Sequence, residues 1–105
     1  MKLVIRPEAL DEVHDAIAYL VDKKRIAAAR GLWKTWDQSL DAILGTPDRF
    51  PVVTRCFPRT DVREYWISRY KYRVIYLVRI AEVEVLAVRH GHRLDTDWLT
   101  RLPTT

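Results

Sequence analysis

Apolar residues change their spacing twice along this chain. Lys2 to Arg6 alternates, with Leu3 and Ile5 on one side and Lys2, Val4 and Arg6 on the other. That is a short strand, and Pro7 behind it, unable to donate to a ladder, places it at a sheet edge. The step then lengthens to three and four residues. Leu10, Val13, Ile17, Leu20 and Val21 form one stripe on a predicted helix of about 17 residues, with Pro7 in its first turn and Glu8, Asp11 and Glu12 near its positive end. Lys23-Lys24-Arg25 reads as the basic end of that helix and a turn. A second helix is expected from Ile26 to Leu44 with Leu32, Trp33, Trp36, Leu40, Ile43 and Leu44 as its stripe. Gly45 and Pro47 stop it. Trp33 and Trp36, three apart on that stripe, read as core rather than as a stacking pair for a ligand. Gly31 is a weak point inside the helix, costing about 1 kcal/mol relative to alanine.

After a proline-rich loop (Pro47, Pro51, Pro58) with one short strand expected at Val52 to Phe57, the spacing falls back to two. Val62 to Ser68 alternates. Arg69-Tyr70-Lys71 is a turn. Tyr72 to Ile80 is β-branched and aromatic on both sides, the pattern of a central strand covered on both faces. Val83 to Arg89 returns after Ala81-Glu82, and Leu94 to Leu102 suits a final helical turn through Trp98 and Leu99. The order describes an α+β domain: an N-terminal strand, a helical hairpin packed on a curved antiparallel sheet of three to four further strands, and a short C-terminal helical tail. The face away from the helices is where Arg63, Arg73, Arg89, His90, His92 and Arg93 are expected to gather.

Composition narrows the class. With 105 residues, 49% hydrophobic and 30% charged, residues 1–105 read as a single globular domain. No apolar run approaches the roughly 20 residues that span a bilayer. The first residues, MKLVIRPEALDE, set acids where a signal peptide needs its apolar core, so a cytoplasmic protein is expected. Cys56 is the single cysteine, which excludes an internal disulfide and reads as an incidental thiol. Residues 1–45 hold seven Lys/Arg against seven Asp/Glu, and residues 46–105 hold eleven against seven, so the second part carries the whole net charge of +4. A basic half on a neutral frame points to an anionic partner, nucleic acid or an acidic protein segment.

The chain has no Gly-rich phosphate loop, paired cysteines or GxSxG elbow. His90 and His92 share a strand face but have no evident third ligand, so neither a metal nor a cofactor is expected. They are better suited to acid–base work, being histidines beside arginines. Arginine is suited to bidentate contact with phosphate or carboxylate, and Tyr65, Tyr70, Tyr72 and Tyr76 interleave with the set as stacking or packing groups.

Taken together, Asp61-Val-Arg-Glu64, Tyr72-Arg-Val-Ile-Tyr76 and His90-Gly-His-Arg93, followed by a tail with Trp98 and Leu102, resemble the RelE/ParE toxin superfamily of bacterial type II toxin–antitoxin systems. Ala27-Ala28-Ala29 and Leu44-x-x-Pro47 fit the same pattern, and the resemblance covers nearly the whole chain. It implies a growth-inhibiting, plasmid-stabilising toxin held by a cognate antitoxin in a hetero-oligomer. The RelE-like branch is a ribosome-dependent mRNA endoribonuclease; the ParE-like branch inhibits DNA gyrase. Arg73 and Arg93 match arginines that stabilise phosphate charge in the nuclease branch. Glu64 and Trp66 stand where that branch has lysines, and no tyrosine follows Tyr76, so the resemblance is closer to the ParE branch. Glu64 with His90 or His92 is the remaining nuclease candidate. For target or antitoxin contact the candidates are Arg63, Arg73, Arg89, Arg93 and Trp98.

Overall fold

The computed structural model describes residues 1–91, 93 and 96–103. The order is β1 (Lys2–Ile5), α1 (Pro7–Asp22), α2 (Ile26–Gly45), a 3-10 turn η1 (Thr54–Cys56), β2 (Val62–Ile67), β3 (Tyr72–Val78), β4 (Glu82–His90) and a 3-10 segment η2 (Asp97–Arg101). The sheet runs β1-β4-β3-β2. Strands β2, β3 and β4 are antiparallel, as expected, and β1 is an edge strand paired parallel to β4, Leu3 opposite Val83. The helical hairpin carries the chain from β1 at one edge across to β2 at the other, and β3 and β4 then return by antiparallel pairing until β4 meets β1.

Two apolar layers sandwich β3. The helix side packs Ala9, Val13, Ala16 and Leu20 of α1 and Ala29, Leu32, Trp36 and Ile43 of α2 against Val74, Tyr76, Val83, Val85 and Val88. Tyr76 is fully buried, and its phenol donates to the Pro47 carbonyl at 2.6 Å, fixing the chain where it leaves α2. Burial pushes that phenol up to about 12. The other layer joins Val62, Ile75, Leu77, Leu86 and Ala87 to Val53 and Trp98. Between Ile75 and Tyr76 the β3–β4 register slips: Ile75 lies opposite Ala87 and Tyr76 opposite Val85, leaving Leu86 as the extra residue of a bulge.

Three expectations are corrected. The buried line of α1 runs through Ala9 and Ala16, with Leu10 and Ile17 at its flank and Val21 46% exposed. Small residues let the helix lie close to the sheet while larger ones wedge its sides. On α2, Trp33 lies at the margin of the buried line and is 46% exposed, its ring stacked on His14 at 6.0 Å; Trp36 alone of the pair is core. No strand forms at Val52 to Phe57: Val52 makes one bridge to Arg63, then the chain turns as η1.

Candidate functional site

The register sorts the arginines. Tyr72, Val74 and Tyr76 of β3 point to the helices, and Arg73, Ile75 and Leu77 point away. Arg73 lies opposite Trp66 on β2 and Arg89 on β4, whereas Arg63 lies opposite the helix-side Tyr76 and His90 opposite the helix-side Tyr72. The expected gathering on one face is therefore split in two. Much of the far face is apolar (Ile75, Leu77, Leu86, Ala87) and is roofed by Val53 and Trp98 rather than left to cations.

What remains open on that face is a compact group. Arg73 donates to Glu64 at 3.1 Å and to the Arg93 carbonyl at 2.9 Å, and Trp66 Nε1 donates to the other Glu64 oxygen at 3.0 Å. The Arg73 guanidinium lies 6.0 Å from the Trp66 ring centre. Trp66 is 43% exposed. Glu64 and Arg73 line a cleft of about 350 Å³ with Val52, Thr54, Arg55 and Thr96. Sequence reasoning assigned Trp66 no role of its own beyond standing in a lysine's place. Its position beside Arg73 follows from a two-residue period on both sides of the Arg69–Lys71 turn, so the signal was there once that turn is fixed.

The other candidates do different work. Arg89 is 2% exposed; it is paired with Glu12, and its second nitrogen meets Asp97 at 2.7 Å. Arg101 reaches the same Glu12 at 3.0 Å and the Leu86 carbonyl at 2.8 Å. Burial pushes the Glu12 carboxyl up, but hydrogen bonds from Arg101 and Arg89 and from the Val88 N–H outweigh it, and the group titrates below the ordinary range. Burial likewise opposes the charge on Arg89, and the bonds to Glu12 and Asp97 raise its affinity for the proton. Trp98, also 2% exposed, is a core residue. Arg89 and Trp98, both expected to make target or antitoxin contacts, lie in the interior of this chain, where they serve charge pairing and apolar cover. Arg63 donates to the Phe50 carbonyl at 2.7 Å and sits 4.0 Å from Asp48, pinning the loop after α2.

His90 is exposed, edge-on to the Tyr72 ring at 5.3 Å. With Arg93 it borders a second cleft, of about 240 Å³, that also holds Glu12, Asp15 and Tyr19. His92 lies outside the described residues. Of the nuclease candidates, the structure brings Glu64 and Arg73 together, adds Arg93 through its main chain, and puts His90 on the opposite face. Among the described residues no three His, Cys, Asp or Glu come together as a metal would need. Among the described residues no helix is long and apolar enough to cross a membrane.

Comparisons with known proteins agree with this architecture. A solved structure described as the chromosomal ParDE TA system from P. aeruginosa superposes with a TM-score of 0.71, covering 86% of this chain and 95% of that one at 13% identity, a likeness of fold. No curated protein sequence matches the chain. The family model of the ParE toxin of the type II toxin–antitoxin system parDE matches residues 3–95, nearly the whole chain, and the chain belongs to that family.

Proposed function

We propose that this protein is the toxin of a type II toxin–antitoxin pair that inhibits growth by binding DNA gyrase and trapping cleaved DNA, without breaking a bond itself, and that a cognate antitoxin neutralises it in the cytoplasm. The observation that carries the choice is the division of the described acid–base candidates, Glu64 and His90. Cleavage of a phosphodiester needs a base and cationic groups aimed at one phosphorus. Here Glu64 and Arg73 are occupied with each other on one face of the sheet, and His90 lies on the other. The lysines that would complete a nuclease are replaced by Glu64 and Trp66.

The antitoxin is expected to be an amphipathic segment with acidic residues, laid along the helical hairpin and the sheet edge. Tyr19, Val21, Ile26 and Trp33, all between 45% and 58% exposed, offer apolar anchors on the hairpin. A complex that left those four residues bare would refute this arrangement.

Pulse expression without antitoxin, scored in the same cells for the DNA-damage response and for mRNA cleavage, tests the target. The expected outcome is damage induction with intact transcripts, retained by the His90→Ala/His92→Ala variant. Codon-phased mRNA cuts without damage induction would overturn the proposal and shift the function to a ribosome-dependent nuclease.

A further inference from the structure

We propose that the cleft between the α1–α2 turn and the β2–β3 turn binds a single strand of nucleic acid, its phosphates held by Arg25, Arg69 and Lys71 and a base stacked on tyrosine. The cleft measures about 390 Å³, and its lining includes Arg25, Arg69, Lys71, Tyr19, Tyr70 and Tyr72 but no Asp or Glu. The three cations come from two turns far apart in the chain, all are exposed, and none is paired with a described carboxylate. Elsewhere Arg6, Arg59, Arg63, Arg73, Arg79, Arg89 and Arg101 each lie within salt-bridge distance of an acid. Among the described residues Arg30, Arg49 and Arg55 do not, and what sets Arg25, Arg69 and Lys71 apart is that the three line one cleft. Cations left without acids around one concavity attract an anion.

Backbone geometry gives an independent observation. Among the described residues the non-glycine positions with positive φ are Lys24 at 58° and Lys71 at 60°, one in each of these two turns. That conformation favours glycine, so each lysine is held against a backbone cost. An adjoining hollow carries Arg25 and Arg69 over Ala27 and Ala28, in a first turn of α2 that has no acid and no side-chain cap.

The tyrosines decide between anions. Tyr19 is 58% exposed. Aromatic rings interleaved with cations suit a strand whose bases stack while its phosphates are neutralised. A base offers these rings a broad aromatic face to stack on, which the carboxylates of an acidic peptide do not. This inference goes beyond the gyrase reading and stands without it, since the binding is direct and needs no enzyme.

The test is fluorescence anisotropy of a short labelled oligothymidylate with the full chain, beside an oligoglutamate of matched charge. Three neutralised phosphates on a single strand predict that affinity falls about 20-fold between 50 and 200 mM salt. Arg25→Gln/Arg69→Gln/Lys71→Gly should weaken binding at least about 10-fold and flatten that slope, with an unchanged or higher melting temperature because glycine relieves the positive φ. Tyr19→Ala should cost at least about fivefold, the low end for a base stacked on an aromatic ring. Lys34→Gln/Arg49→Gln/Arg55→Gln, which removes as much charge from elsewhere on the surface, should bind as the parent does. Any of four results overturns the proposal: the cleft variant binds as well as the parent, the control loses as much as the cleft variant, Tyr19→Ala has no effect, or oligoglutamate binds at least as tightly.

Discussion

Glu12 shows how a residue that looks like ordinary helix-start chemistry becomes structural. In the sequence it is one of three acids near the positive end of α1. In the fold it accepts from Arg89, from Arg101 at 3.0 Å and from the Val88 N–H at 3.0 Å. Removing one partner of a buried ion pair leaves the others desolvated and uncompensated, so Glu12→Gln is expected to lower unfolding stability by about 3 kcal/mol, read from urea denaturation. The pH dependence has a definite sign. The folded carboxyl titrates below its unfolded value of about 4.3, so its contribution is present above that pH and is lost as pH falls through the lower folded value. Stability of the parent should therefore drop on acidification below about pH 4, and that part of the drop should be absent in Glu12→Gln. Gly31 is a second case. A Cβ there would come within 1.8 Å of the Tyr70 phenol oxygen, so the helix-interior glycine makes room for the ring from the β2–β3 turn. Gly31→Ala should gain nothing in the parent, and about 1 kcal/mol in a Tyr70→Ala background, where only helix propensity is left to act; a double-mutant cycle measures it.

At the scale of elements, the strands were legible because β3 is apolar on both faces and its neighbours alternate. The helices were legible because Pro7 opens one and Gly45 with Pro47 closes the other. Which residues within a stripe are buried was not. Trp33 and Trp36 look equivalent at helical spacing, but a helix resting on a sheet buries only a narrow line, and Trp33 falls outside it. The far side of the sheet was misread for a related reason. Arginines in the strand sequences suggested an open basic face, whereas Ile75, Leu77, Leu86 and Ala87 lie there too and need cover. Segment η2 provides it through Trp98. Trp98→Ala is expected to cost about 3–5 kcal/mol by chemical denaturation, the range for emptying a buried aromatic site.

For the whole molecule, the sheet separates two described acid–base candidates, Glu64 with Arg73 on one face and His90 on the other, with Arg93 between them. Groups acting as one catalytic unit show strongly non-additive losses when removed together. Groups on opposite faces should behave independently. In growth inhibition, Glu64→Gln and His90→Ala are therefore expected to combine additively on a logarithmic scale, while Glu64→Gln and Arg73→Gln, which share an ion pair at 3.1 Å, should not. A non-additive Glu64/His90 pair would mean that the two work on one substrate. The sequence by itself determined the element order, the edge position of β1, the central place of β3 and the family pattern. Those follow from local spacing, from proline and glycine, and from short motifs. Only the tertiary structure decided which arginines are buried, that Trp66 joins Glu64 and Arg73, and that Arg25 meets Arg69 and Lys71 across a cleft. Each of these depends on strand register and on how two distant turns are brought together, and no local period along the chain encodes either.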